Sequence, residues 1–93
     1  MSAQITFKRG GKAYATRTFD ETQISTTAFS DVVREVAVGM DRFEVYVSTG
    51  ENEVRVPNRP GLTLLEILQQ ASGKSDVMGC TFVVDLSVEA KGA

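Results

Sequence analysis

The sequence contains no histidine, and it has only one cysteine, Cys80, among its 93 residues. Without histidine, the chain lacks the side chain that most often acts as a general base or metal ligand near neutral pH. Cys80 cannot form a disulfide within the chain, and a reactive thiolate needs a neighbouring base or cation. We therefore expect Cys80 to be a buried, inert thiol, and the chain not to be an enzyme and to use no cofactor or metal.

Long apolar runs are also missing, because no stretch approaches the roughly 20 residues that a helix needs to cross a bilayer. The first residues do not show a basic and then apolar leader pattern. The net charge is −2 and the lysines and arginines are scattered, so no surface for nucleic acid is predicted. Together with the single cysteine, these features predict a single cytoplasmic domain that binds neither membrane nor nucleic acid.

What the sequence does contain is a series of short segments with apolar side chains at every second position, which is typical of β-strands. These segments are residues 3–8, 13–19, 42–47, 53–57 and 81–88. The last one alternates most cleanly, and its apolar side comprises Phe82, Val84, Leu86 and Val88. We expect it to lie inside a sheet, beside the first strand. Pro57 predicts that the 53–57 strand lies at an edge.

A glycine pair at positions 10–11 separates the first two strands. It predicts a tight hairpin, because glycine adopts positive φ at both central positions without strain. A two-residue turn would place Phe7 opposite Tyr14. Phe19 would then be out of phase with Tyr14, and a β-bulge somewhere in the second strand would return Phe19 to the apolar side.

Residues 28–38 have helical spacing, with Thr27 as the predicted N-cap and Gly39 as the stop. The apolar residues at spacings of three and four are Phe29, Val32, Val33, Val36 and Met40. The pattern predicts an amphipathic helix that lies on the sheet. Residues 20–26 are polar and are predicted to form a loop.

Residues 64–70 are predicted to form a short second helix, which opens with a capping box of Thr63 and Glu66. The order is therefore strand, strand, helix, strand, strand, short helix, strand. It predicts an α+β fold in which a five-stranded mixed sheet carries one main helix and one short helix.

This order, together with several short segments, resembles the ubiquitin-like (β-grasp) family. The segments that carry the resemblance are residues 4–8 with the glycine-lysine turn at 11–12, then 42–45, 59–64 and 81–86. The resemblance implies a single β-grasp domain over residues 1–89 and a flexible tail at residues 90–93. It is nearest to the bacterial ubiquitin-like modifiers, which are encoded beside their own activating, conjugating and deconjugating enzymes.

The resemblance implies a protein modifier. A processing peptidase would remove Ala93, and activating and conjugating enzymes would then join the carboxylate of Gly92 to a target. Glycine suits this position, because a residue without Cβ lets the backbone pass through a narrow enzyme cleft. The simpler interpretation is that residues 91–93 are only a frayed end.

The resemblance also places Glu44, Tyr46, Val83 and Asp85 on the outward face of the sheet, where ubiquitin-like proteins bind their receptors. Two carboxylates at these positions predict receptors unlike those of ubiquitin. The reason is that burying a carboxylate against an apolar surface without a partner is costly.

Two other functions remain open from the sequence. One is a non-covalent adaptor or inhibitor, of bacterial or phage origin, which binds a partner protein through the sheet face or through the edge at Val54 and Val56. Such an edge would also allow self-association. The other is a sulfur carrier, for which the resemblance would require a terminal glycine pair that this tail does not have.

Overall fold

The computed structural model describes residues 2–50, 52–56 and 61–88, and within them five strands form one mixed sheet accompanied by three helices. The strands are β1 (Ser2–Arg9), β2 (Lys12–Asp20), β3 (Glu44–Ser48), β4 (Glu53–Val56) and β5 (Thr81–Ser87). The helices are α1 (Glu21–Thr26), α2 (Phe29–Val36) and α3 (Leu64–Ser72). The predicted small α+β domain with a five-stranded mixed sheet is confirmed.

The strand order across the sheet is β2-β1-β5-β3-β4. β1 and β5 run parallel, whereas the other neighbouring strands are antiparallel. The predictions that β5 lies inside the sheet beside β1 and that β4 lies at an edge are both confirmed. Pro57, on which the edge prediction was based, is outside the described residues. The arrangement is compatible with a β-grasp.

The core lies between one face of the sheet and the three helices, and each of these elements contributes fully buried side chains. The largest of them are Ile5, Phe7, Phe82 and Leu86 from the strands and Ile24, Phe29, Leu64, Ile67 and Leu68 from the helices. Val88 was predicted on this apolar side, but it is 66% exposed. The reason is that β5 ends one residue earlier, at Ser87.

The β1–β2 hairpin contains a β-bulge of the kind that the phase of Phe19 suggested. Phe7 pairs with Ala15, so the prediction that Phe7 lies opposite Tyr14 is wrong. Tyr14 is the extra residue of β2, and the register shifts at this point. After the bulge, Phe19 pairs with Ala3 and is only 2% exposed, so the bulge returns it to the core as expected.

Residues 20–26 are not a loop, and this prediction is wrong. The carboxylate of Asp20 accepts the Gln23 N–H at 2.8 Å, and the Gln23 side chain accepts the Asp20 N–H at 3.0 Å, so a capping box opens α1. Ile24 is buried and anchors this short helix in the core. One apolar residue produces no periodicity, and the spacing of Asp20 and Gln23 was the only available signal.

The helix that was predicted to be the main one, α2, is shorter than expected. Its N-cap is Ala28, which makes no side-chain capping bond, so the prediction of Thr27 as the cap is wrong. The helix ends at Val36, and Gly39 adopts its positive φ of 84° in the turn that follows. Four residues of the predicted apolar side, Phe29, Val32, Val33 and Val36, are buried as expected, whereas Met40 lies beyond the end of the helix and is partly buried.

α3 begins at the predicted capping box, which confirms the roles of Thr63 and Glu66. With nine residues it is longer than α2, which has eight, so the prediction of one main helix and one short helix is wrong. Two backbone hydrogen bonds connect the start of α3 to the segment between α1 and α2. Leu64 donates its N–H to the carbonyl of Thr27 at 3.0 Å, and Phe29 donates to the carbonyl of Leu62 at 2.8 Å. These two bonds hold the three helices together over one face of the sheet.

We expect Ile24→Ala to lower the free energy of unfolding by about 2–5 kcal/mol, because it leaves a cavity where α1 meets the core. Urea denaturation measures this change. Thr22→Ala is the matched control in the same helix, since Thr22 is exposed and its substitution should change stability by less than about 0.5 kcal/mol. Equal effects of the two substitutions would contradict the packing of α1.

Candidate interaction surface

The face of the sheet opposite the helices carries the four residues that were predicted to bind partners. Val45 and Val47 of β3 and Phe82 and Val84 of β5 point to the core. Because side chains alternate along a strand, the residues between and beside them point the other way. Glu44, Tyr46, Val83 and Asp85 therefore share this face, which we call the outer sheet face.

Strand pairing arranges part of the outer sheet face as one row across four strands. Asp85 pairs with Lys8 on one side and with Tyr46 on the other, and Tyr46 pairs in turn with Arg55. We call Lys8, Asp85, Tyr46 and Arg55 the polar row. A line of charged and polar side chains therefore runs from strand to strand over the outer sheet face, where an apolar receptor surface would have to dock.

Glu44 lies beside the polar row and is held by two of its neighbours. The Tyr46 hydroxyl donates to Glu44 Oε2 at 2.7 Å, and Arg55 Nη1 lies 3.5 Å from Glu44 Oε1. The Glu44 side chain is 35% exposed and the Arg55 side chain 69% exposed. Exposed ion pairs add at most about 1 kcal/mol. Here, the hydrogen bond from Tyr46 and the ion pair with Arg55 orient the Glu44 carboxylate and the Arg55 guanidinium toward solvent.

Asp85 has a structural role in attaching the hairpin turn. Its residue is 5% exposed, and Oδ1 accepts the N–H of Gly11 at 3.2 Å. Gly10, next in the same turn, donates its N–H to the carbonyl of Leu86 at 2.8 Å. Both glycines have positive φ, 60° and 85°, as a tight hairpin turn of this type requires. The end of the β1–β2 hairpin is therefore attached to β5.

The structure brings the four predicted residues onto one face but does not expose them equally. Tyr46 and Asp85 are buried within the chain, whereas Glu44 and Val83 are partly exposed. A partner at this face would meet Glu44 and Val83 directly. It would also meet Arg55, which no pattern in the sequence marks as a site residue. The period-2 pattern assigns Arg55 to a face, but only the pairing of β4 with β3 places it beside Tyr46 and Glu44.

Three further residues were singled out from the sequence, namely Gly92, Ala93 and Cys80. Gly92 and Ala93, the predicted conjugation and processing residues, are outside the described residues, as is the rest of the predicted tail. Cys80 is partly exposed and not fully buried as predicted, although it packs against the core. Its side chain lines a cavity of about 330 Å³ together with Lys74 and Asn52.

We expect Asp85→Ala to lower the free energy of unfolding by about 1–3 kcal/mol, because the Gly11 N–H loses its buried acceptor. Hydrogen exchange at the Gly11 amide should become faster as well. Asp85→Asn retains a side-chain oxygen and should recover part of the loss. Asp41→Ala, which removes an exposed carboxylate, is the control and should be close to neutral. Unchanged exchange at Gly11 in Asp85→Ala would contradict this role.

Comparison of the chain with family models, curated proteins and solved structures gives no match. In the described ranges, no group of three or more acidic, histidine or cysteine side chains could hold a metal ion. No helix in the part of the chain that the structure describes is long and apolar enough to cross a membrane.

Proposed function

We propose that this chain is a ubiquitin-like protein modifier, which is matured by removal of Ala93 and conjugated through Gly92 by partner enzymes. The observation that supports this proposal is the position of β5. This strand lies between β1 and β3, and it is paired up to its last residue, Ser87, which faces Glu44. A strand held on both sides fixes the position of its own C-terminal end at Ser87.

The proposed chemistry takes place on the Gly92 carboxylate. A carboxylate oxygen attacks the α-phosphorus of ATP and releases pyrophosphate, and a cysteine thiolate of the activating enzyme then displaces AMP to form a thioester. A target amine displaces the thiol and forms an amide. Enzymes of the conjugation system supply the nucleophile and the acid-base groups, which is in keeping with a modifier whose sequence has no histidine.

The outer sheet face would then be the surface that receptors of the modifier recognise. Glu44 and Arg55 offer opposite charges within 3.5 Å of each other, and Val83 offers a small apolar contact on the side of the polar row away from Glu44. A matching receptor would carry a cation and an anion at the corresponding spacing. This complementarity would contribute mainly to the choice of partner and to the association rate.

Expression of the full chain with an N-terminal tag in its native cells tests the modifier proposal. We expect covalent adducts on tagged protein, and intact-mass measurement should show loss of Ala93 from the free form. Trypsin cleaves after Lys91 and should leave one glycine on the modified lysine. Gly92→Val should abolish the adducts, because a β-branched residue restricts the backbone in a narrow cleft.

Ala93→Ser is the matched control, because it leaves Gly92 in place and should still allow processing and conjugation. Retention of Ala93 together with an absence of adducts would count against the modifier.

A non-covalent adaptor is the second candidate, and the oriented pair of Glu44 and Arg55 on a partly exposed face favours it. Deletion of residues 90–93 separates the two functions, because an adaptor keeps its partner without the tail and a modifier forms no adduct. We expect Glu44→Lys to weaken binding of an adaptor's partner about tenfold, as loss of a charge-assisted contact does.

Val38→Lys is the control for the adaptor test, since Val38 is 67% exposed and follows α2, on the helix side of the sheet. Loss of partner binding with Val38→Lys and not with Glu44→Lys would exclude the outer sheet face as the binding surface.

A further inference from the structure

We propose that two copies of the chain associate through β4, with the two β4 strands antiparallel and related by a two-fold axis at Val54. β4 is the last strand of the sheet on its side, and its neighbour within the sheet is β3. Pairing of two such edges would join two sheets into one. The inference does not depend on the proposed modifier function.

The hairpin between β3 and β4 determines which backbone groups point outward. Thr49 donates its N–H to the carbonyl of Asn52 at 3.1 Å and so closes the hairpin. The pairs that follow are Ser48–Glu53, Val47–Val54, Tyr46–Arg55 and Val45–Val56. Hydrogen-bonded and non-hydrogen-bonded pairs alternate in an antiparallel ladder. Val54 therefore bonds to β3, and the backbone groups of Glu53 and Arg55 point to the outer edge.

The charges of β4 select one register for self-pairing. A two-fold axis perpendicular to the sheet keeps each side chain on its own face, so the axis passes through a residue position. An axis at Glu53 sets two carboxylates opposite each other, and an axis at Arg55 sets two guanidinium groups opposite each other, both of which are unfavourable. An axis at Val54 sets Glu53 of each copy opposite Arg55 of the other.

The same register also gives the outward backbone groups hydrogen-bond partners and brings the two Val54 side chains together. The pair of Glu53 and Arg55 becomes a hydrogen-bonded pair, because the backbone groups of both residues point outward. Val54, which is 37% exposed, meets its counterpart at the axis, where side chains of a non-hydrogen-bonded pair lie closest. Glu53 already has a contact within its own chain, and the second copy adds a guanidinium to it.

The other edge of the sheet is less suited to pairing. β2 is longer, but the bulge at Tyr14 interrupts its regular ladder, and bulges are one way in which edge strands avoid pairing with other chains. An axis at Arg17 would also bring two guanidinium groups together. A four-residue edge buries far less than the roughly 1,000 Å² of a stable interface. We therefore expect a weak dimer, with a Kd on the order of 0.1–1 mM.

Sedimentation velocity and amide chemical shifts of the full chain, measured from about 10 μM to 2 mM at low salt, test this dimer. We expect concentration-dependent association, with the largest shift changes at Glu53, Val54 and Arg55. Glu53→Arg and Arg55→Glu should each raise the Kd about tenfold or more, because each creates two like-charge pairs. The double variant Glu53→Arg/Arg55→Glu restores opposite charges and should return the Kd to within about threefold of the original.

A mixture of the two single variants gives the sharpest result. Every cross-strand pair between Glu53→Arg and Arg55→Glu chains is opposite in charge, so the mixture should associate more strongly than either variant alone. Thr18→Arg, on the β2 edge, is the control and should leave the Kd unchanged. A chain that stays monomeric at about 2 mM, or association that Thr18→Arg weakens and the β4 variants do not, overturns the proposal.

Discussion

The parallel pairing of β1 with β5 is the constraint on which the rest of the structure depends. It places Ile5 and Phe7 beside Phe82 and Val84, all of them fully or almost fully buried, in the middle of the sheet. At roughly 25 cal/mol for each Å² of apolar surface removed from water, these side chains supply much of the hydrophobic stabilisation of so small a domain. The helices cover this centre from one side and leave the other side for polar contacts.

On that other side, the same central strands determine what a partner can touch. Asp85 of β5 holds the hairpin turn through Gly11, and Tyr46 of β3 orients Glu44. Both side chains are buried, although they point away from the apolar core. The outer sheet face is therefore partly a structural layer, and the charged groups that it presents to solvent, Glu44 and Arg55, lie at its margin. A partner would meet preoriented charges, so little side-chain ordering would oppose binding.

The sequence predicted those elements whose patterns are long or chemically specific. The alternation around Phe82 identified the central strand, and the capping box at Thr63 identified the start of α3. The helix α1 was missed because Ile24 alone gives no period. The position of the bulge at Tyr14 could not be read from spacing, since a bulge at any residue between the turn and Phe19 would return Phe19 to the apolar side. The hydrogen bond of Asp85 joins it to Gly11, 74 residues away along the chain, and no local pattern encodes such a contact.

The pairing of β1 with β5 also has a consequence for how the chain folds during its synthesis. β1 is synthesised before β5 and needs β5 beside it, and the segment between them contains the other helices and strands that the structure describes. The β1–β2 hairpin can form early, but its apolar face stays exposed until Phe82 and Val84 pack beside it. Contacts so distant along the chain slow folding. The nascent chain therefore completes its sheet only after β5 has emerged, and until then its exposed strands are candidates for chaperone binding.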